Sequence, residues 1–358
     1  MDLIKGFFNT LADPRLYFLL MVLSLVLMVW KREVFTSKAV GYGLLAFLTL
    51  FFALGGIDPN FQLIITKPDN VPIVGLIFLL VFFTWYSMRE AVLNDQRIAK
   101  GDGPIEKAES DRVWVWPDLV YTELIALILC SVVLIVWSIL LKAPLEQPAN
   151  RAVTPNPSKA PWYFLGLQEM LVYFDPWLAG VVLPSLIIVG LIAIPYIDKN
   201  PKGNGYYTFV ERKVEITLFL FGFVILWSSL IVLGTFLRGP NWNFFGPFEY
   251  WDTHKLEALT NVDLSEYFWV RMLGQGLPTN YVVREFPGIV LSLIYVGVLP
   301  VLLAKRGFTT YYNKLGAPRF YVTVFLFLMM MALPIKMLLR WIFNLKYIVA
   351  IPEIFFNI

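Results

Sequence analysis

The chain has 358 residues, of which 58% are hydrophobic, 16% aromatic and only 15% charged. Soluble proteins carry about 25% charged and about 45–50% apolar residues, so the composition excludes an ordinary soluble protein and a disordered chain. The net charge is +3, and the basic residues are spread along the sequence without forming a basic stripe, which argues against nucleic acid as a partner. The single Cys and single His exclude an intrachain disulfide, a thiolate metal cage and a haem held by two histidines of this chain.

Eight apolar stretches follow one another, each close to the roughly 20 residues that a membrane-spanning helix needs. We therefore predict an all-α fold, a polytopic membrane helix bundle of about eight transmembrane helices. The predicted spans lie near residues 16–30, 40–56, 71–88, 119–141, 177–197, 216–237, 288–304 and 319–343. The first lacks a small-residue cleavage site and is followed by Lys31 and Arg32, so it is interpreted as a retained span, not a signal peptide.

Basic residues are distributed unevenly between the loops. More than half of the 29 Lys and Arg residues fall in the short loops after spans 1, 3, 5 and 7. Since positive residues concentrate on the cytoplasmic side, the sequence predicts a multi-pass protein of the bacterial cytoplasmic (inner) membrane. Both termini and the loops 142–176 and 238–287 are then expected on the outward side.

The loop 142–176 contains a predicted short amphipathic interfacial helix. Pro161 is typical of the first turn of a helix. Apolar side chains then recur at the spacing of one helix face, at Phe164, Leu167, Met170, Leu171 and Phe174. Asp175-Pro176-Trp177 is expected to end this helix and open span 5. Such a helix either lies at the membrane interface or covers a cavity that opens into the bilayer.

A few ionisable residues lie in or beside apolar segments, where charge is costly and often functional. Glu123, near the start of span 4, is either a carboxylate in interfacial water or a cytoplasmic-side proton entry or quinone contact. Glu169, in the amphipathic helix, either faces water or exchanges protons as a shielded acid. Lys336 and Arg340 in span 8 are interpreted as snorkelling to the interface. No set of residues has the spacing of a metal site.

The residues around the loop helix resemble a known family. Trp162-Tyr163-Phe164-Leu165 is similar to the region of the Pro-Glu-Trp-Tyr motif that cytochrome b carries between its fifth and sixth helices. Leu178-Ala179-Gly180-Val181 falls at the spacing of the family's Leu-Gly-Gly-Val, and Pro195 closes the next helix as a proline does there. The resemblance covers residues 110–255, the part that forms a separate subunit IV in the cytochrome b6f complex.

The highly charged segment from Arg89 to Arg112, which we interpret as a boundary after the first three spans, and this resemblance together predict three regions in the chain. Residues 1–100 would form an N-terminal three-span module with a cytoplasmic linker. Residues 101–255 would form a subunit IV-like domain with the loop 142–176. Residues 256–358 would hold an outward loop and two C-terminal spans.

The resemblance implies a haem-free membrane subunit of a respiratory or photosynthetic cytochrome bc or b6f-type quinol:cytochrome c oxidoreductase, which is not catalytic alone. Such a subunit completes the outward quinol-oxidation pocket, and quinol oxidation there is coupled to proton release. The pocket wall would be formed by Pro161, Trp162, Tyr163, Phe164, Leu167 and Met170. The b haems and the iron–sulfur cluster are expected on partners, namely a cytochrome b6-like subunit, a Rieske protein and a cytochrome c subunit, in a dimeric, lipid-embedded complex.

The sequence departs from the family at the acid of this pocket. The motif Glu, which helps to remove a quinol proton in the family, is replaced by Pro161 after Ala160. Glu169, two turns further along the helix, is the candidate proton acceptor, and Asp175 is the alternative.

Two other interpretations stay open. The chain can be the quinone-binding anchor of another respiratory oxidoreductase, which would also carry no haem. It can also be a transporter or channel, although the broken-helix repeats typical of many transporters are not found.

Overall fold

The computed structural model describes residues 2–109, 113–143, 145, 148–203 and 205–358. Three residues of the predicted loop 142–176, at positions 144, 146 and 147, lie outside the described residues.

The described chain is mostly helical. Its helices, numbered in chain order, are α1 (Asp2–Leu11), α2 (Pro14–Trp30), α3 (Arg32–Phe35), α4 (Lys38–Gly55), α5 (Pro59–Ile65), α6 (Val71–Lys100), α7 (Ile105–Ala108), α8 (Val115–Leu140), α9 (Trp162–Met170), α10 (Leu178–Ile197), α11 (Lys213–Leu237), α12 (Leu264–Glu266, continuing as Tyr267–Met272), α13 (Tyr281–Arg284), α14 (Phe286–Gly307), α15 (Thr309–Leu315) and α16 (Ala317–Phe343). Short 3₁₀ turns occupy Pro240–Trp242 and Pro352–Ile354. Near the C-terminus, β1 (Ala350–Ile351) and β2 (Phe356–Asn357) pair antiparallel, with Ala350 opposite Asn357.

Among the described residues, seven helices are long and apolar enough to cross a membrane: α4, α6, α8, α10, α11, α14 and α16. The pair α1 and α2 is bent by 75° and gives an eighth span if it is counted as one. The break falls at Asp13, whose carboxylate accepts from the Arg15 and Leu16 amides, while Pro14 starts the next helix. The predicted bundle of about eight membrane helices is therefore confirmed.

Helix α6 is longer than its predicted span 71–88. It continues through a charged stretch to Lys100 and ends at Gly101, whose φ of 92° is left-handed. Glycine adopts this conformation without the steric cost that a Cβ brings, which makes it the common residue after a helix end. Because apolar composition stops near residue 88, hydropathy alone could not detect the extension.

The chain forms two compact units, each made of separate chain segments. The first contains Met1–Trp162, Asn204–Ile225 and Thr235–Thr253, and the second contains Tyr163–Gly203, Leu226–Gly234 and His254–Ile358. The three consecutive regions expected from the sequence stay a prediction.

In the first unit, α4 packs closely on α6. A Cβ at Gly41 would lie 2.2 Å from the Trp85 ring, so the absent side chain is what lets the indole approach. The Trp85 Nε1–H donates to the Ser37 carbonyl at 3.2 Å. An aromatic cluster of Phe51, Phe61 and Phe248 joins α4, α5 and the loop after α11, with ring centroids 5.1–6.3 Å apart.

Helix α8, also in the first unit, has no buried residue, and the structure describes it throughout. Every residue from Val115 to Leu140 is exposed except the half-buried Val120. A helix this apolar on every face must be covered by lipid or by another protein.

In the second unit, α14 and α16 form a core of Ala304, Phe320, Val324 and Leu328. Gly288, near the start of α14, meets the C-terminal tail, where a Cβ would lie 1.9 Å from the Ile348 carbonyl oxygen. The tail therefore rests directly on the backbone of α14.

Candidate functional site

The segment before α9 is fixed within the first unit. The Asn241 amide donates to Asn156 Oδ1 at 2.6 Å, and Asn156 Nδ2 donates to Asn241 Oδ1 at 2.9 Å. Lys159 Nζ donates to the Thr235 carbonyl at 3.0 Å and lies 4.7 Å from the centroid of the Trp251 ring. These contacts determine where the chain reaches Pro161, which is exposed, and Trp162, which is half-buried.

From Tyr163 onward α9 belongs to the second unit and packs on residues 226–234 of α11. A Cβ at Gly166 would lie 3.3 Å from the Trp227 ring, and one at Gly234 would lie 3.0 Å from the Leu165 side chain. Leu165 is 3% exposed, and burying a leucine contributes about 1.5–3 kcal/mol. Two glycines thus let α9 and α11 approach to van der Waals contact.

The aromatic residues expected to form a pocket wall are largely exposed. Tyr163 and Phe164 are 54% and 53% exposed, and their ring centroids lie 4.7 Å apart. Leu167 is half-buried, whereas Met170 is 3% exposed. The two rings present an open aromatic surface to which another molecule can bind.

Glu169 is fully buried, with 0% of its surface exposed. Of the two interpretations left open by the sequence, the solvated one is therefore wrong. A buried carboxylate is costly unless it is protonated or paired, so acids in this situation are typical of functional sites.

The predicted apolar stripe does not form one buried face. Met170 and Phe174 are buried, but Leu171 is 45% exposed. The helix ends at Met170, where the amides of Tyr173 and Phe174 both donate to the Met170 carbonyl. This turn rotates the following residues away from the helical spacing on which the stripe was predicted.

Asp175 lies at the corner between α9 and α10 and is held by the C-terminal tail. Its Oδ2 accepts from Asn357 Nδ2 at 3.1 Å, and its backbone carbonyl accepts from the Ala179 amide at 2.9 Å. Trp177 Nε1 donates to the Asn357 carbonyl at 3.1 Å. Asp175 is therefore bonded to a partner 182 residues away, which no sequence pattern predicted. Its role as the alternative proton acceptor stays a prediction.

Helix α16 supports the same corner. The rings of Tyr173 and Trp341 meet edge to face at 6.0 Å. Lys336 is 2% exposed, donates to the Lys346 carbonyl, and lies 5.8 Å from the centroid of the Phe174 ring. The predicted snorkelling of Lys336 is wrong, because the tail carbonyl and the aromatic rings solvate the ammonium group inside the protein.

The end of the second unit carries a polar cluster that sequence reasoning missed. Glu285 is 1% exposed and accepts from the Ala350 amide and from Arg284 Nε, both at 3.0 Å. Arg284 also donates to Glu353 at 2.9 Å, which holds the pKa of Glu353 below its usual value. Burial raises the pKa of the nearby Asp263 above its usual value.

Glu123 belongs to the first unit. Its side chain is exposed on α8, in the first turn of the regular α-helical segment that begins at Val120. Its role as a cytoplasmic-side proton or quinone contact stays a prediction.

Comparison with known proteins assigns the central region. Residues 148–244 match the sequence model of the family described as cytochrome b (C-terminal)/b6/petD. No solved structure matches the chain. The matched range contains α9, α10, α11 and the buried Glu169, and it leaves α1–α8 and α12–α16 outside. The apolar helices of the chain mark an integral membrane protein. The resemblance inferred from the sequence is confirmed for residues 148–244, which are similar to the C-terminal region of cytochrome b.

Proposed function

We propose that the chain is a membrane subunit of a cytochrome b6f/bc-type complex and completes the site at which that complex oxidises quinol. The observation that carries the proposal is the family match over residues 148–244. Within this range, α9 is seated on α11 through Gly166 and Gly234, and it bears one fully buried acid, Glu169.

The residues of α9 suit the two requirements of a quinol site. A quinol ring needs apolar and aromatic contact, which the exposed rings of Tyr163 and Phe164 supply. Its hydroxyl proton needs an acceptor that works in a shielded environment. We propose that the Glu169 carboxylate takes this proton in place of the motif Glu that the family carries, since general bases of this kind accelerate reactions about 10²–10⁴-fold.

Electron carriers would come from other subunits. The single His of this chain cannot supply the two ligands that hold a b haem between histidines. We therefore propose that a cytochrome b6-like subunit carries the haems, and that a Rieske protein and a cytochrome c subunit accept the electrons. Helix α8, which has no buried residue, offers an apolar surface for such a neighbour or for lipid.

Two experiments test the proposal. The first is purification of the tagged full chain from its native membrane in mild detergent, followed by a reduced-minus-oxidised spectrum and mass spectrometry of the co-purifying subunits. We expect b haem and a Rieske protein. A molybdenum or ferredoxin-type subunit would instead indicate the anchor of another oxidoreductase, and the absence of any redox partner would favour a transporter.

The second experiment measures quinol:cytochrome c activity of the assembled complex carrying Glu169→Gln. We expect a fall in kcat of about a hundredfold at unchanged haem content, with partial recovery in Glu169→Asp. Glu257→Gln, which removes an exposed carboxylate of the second unit, is the matched control. An undiminished rate in Glu169→Gln from mildly acidic to mildly alkaline pH would refute the role of Glu169.

A further inference from the structure

A cleft of about 330 Å³ lies in the second unit beside α12, outside the range that matches the family. It is lined by five apolar or aromatic residues and one arginine: Leu264, Tyr267, Phe268, Met272, Pro287 and Arg271. Its volume is at the lower end of small-molecule sites, which run from roughly 300 to 1,000 Å³. A single flexible chain fits such a space, whereas a folded partner does not.

Two hydrogen bonds hold α12, which forms a wall of the cleft, to the end of α16 and to the chain just before α14. The Tyr267 hydroxyl donates to the carbonyl of Phe343, the last residue of α16. Trp269 Nε1 donates to the Arg284 carbonyl at 3.0 Å, directly before α14 begins. Tyr and Trp residues are enriched at the level where hydrocarbon meets lipid headgroups. These Tyr and Trp residues at the helix ends therefore indicate a cleft near the level at which apolar membrane gives way to water.

The one charged lining residue is poorly neutralised by the protein. The Arg271 guanidinium lies 4.6 Å from the centroid of the Tyr267 ring. Its ion pair with Glu266 is long, at 3.9 Å, and both side chains are about half exposed, so the attraction is weak. A guanidinium in this state can form paired hydrogen bonds with the oxygens of a phosphate.

The apolar surface continues beyond the cleft. Met272 is 66% exposed and Phe286 is 58% exposed, so a chain that leaves the cleft stays on apolar surface. We propose that the cleft binds one acyl chain of a membrane phospholipid, and that Arg271 binds the lipid phosphate. The charge on one rim and the position at the helix ends favour this occupant over a wholly apolar one.

The test uses the full chain, delipidated in mild detergent, with phosphatidylglycerol as the probe and native mass spectrometry to measure bound lipid. We expect Arg271→Gln to weaken binding about fivefold, because one basic residue near a lipid surface contributes about that factor. Arg271→Lys should retain most of the affinity. Arg151→Gln, the same change at an exposed loop residue of the first unit, should have no effect.

A second variant separates the cleft from the charge. Leu264→Trp fills the cleft while Arg271 stays, and it should lower phosphatidylglycerol binding at an unchanged melting temperature. Unchanged binding in Arg271→Gln would overturn the proposal, as would equal binding of diacylglycerol, which lacks the phosphate. Displacement of phosphatidylglycerol by a long-tailed quinone would overturn it too, because the cleft would then hold the quinone tail.

Discussion

Asn94 and Tyr207 lie 113 residues apart in the chain, yet the Asn94 side chain donates a 2.9 Å hydrogen bond to the Tyr207 carbonyl. Asn94 is completely buried, and its amide also donates to Glu106 at 2.7 Å and accepts from the Ile105 amide at 3.0 Å. The neighbouring Asp95 accepts from Thr208. The end of α6 is thus bonded to a loop of the family-matching region, which links the first three spans to it within one unit.

Removal of the Asn94 amide should destabilise this connection. We expect Asn94→Ala to lower the free energy of unfolding in detergent by about 2–3 kcal/mol, since it removes the three hydrogen bonds made by one buried side-chain amide. Limited proteolysis should then cut the loop around Tyr207 faster than in the unaltered chain. Asn150→Ala, a loop residue in an exposed position, should change stability by no more than about 0.5 kcal/mol. Equal stability of the two variants would contradict the role of Asn94.

The glycine contact between α9 and α11 gives a second prediction. Gly166→Leu places a side chain where even a Cβ would lie 3.3 Å from the Trp227 ring. We expect a loss of about 1–3 kcal/mol of stability from overpacking, together with reduced quinol oxidation in the assembled complex. Gly180→Leu is the matched control, because no heavy atom lies within 4 Å of a Cβ at Gly180. A neutral Gly166→Leu would mean that α9 is not seated as described.

The contact between Asp175 and the tail gives a third prediction. Asn357→Ala removes the 3.1 Å bond to Asp175 but keeps the backbone bond to Trp177. We expect a stability loss of about 1–2 kcal/mol, because the lost acceptor is a charged group. Asn357→Asp should cost more at neutral pH, since two carboxylates then face each other, and should recover on acidification. If Asn357→Asp lost the same amount of stability at every pH, that result would argue against this contact.

Two acids near the C-terminal tail, Asp263 and Glu353, should make the free energy of unfolding depend on pH in opposite directions. Burial raises the pKa of Asp263 above its ordinary 3.8, so the folded state holds this proton to higher pH than the unfolded state. The stability that Asp263 contributes to the folded state is therefore fully present at low pH and is lost as the pH rises through the raised pKa. At pH values above the raised pKa, Asp263→Asn should be more stable than the unaltered chain. The exposed Asp102→Asn serves as the control.

Glu353 behaves in the opposite way. Its hydrogen bond from Arg284 holds the pKa of Glu353 below its ordinary 4.5. The stability that Glu353 contributes to the folded state is therefore fully present above pH 4.5 and is lost as the pH falls through the lowered pKa. Glu353→Gln should remove this acid-side loss, which stability measurements between roughly pH 3 and 5 would detect. A loss of equal size in the variant would contradict the prediction.

The sequence predicted the membrane helices because each presents about 20 apolar residues, a signal that does not depend on the partner. It also predicted the helix α9 and singled out Glu169 as a candidate, since an acid among apolar residues stands out locally, and the structure shows this residue to be buried. The contacts of Asp175 with Asn357 and of Lys336 with the Lys346 carbonyl could not be predicted. They depend on how the C-terminal tail folds back, and hydrophobic periodicity carries no information about such distant pairs.

Helix α8 has a consequence for how the protein is made. No side chain between Val115 and Leu140 is buried by the described remainder of the chain, so packing within the chain does not fix the tilt or rotation of this helix. Its neighbours in the membrane must supply that information after insertion. Without those neighbours, α8 would lie in the membrane with no fixed orientation relative to the other helices.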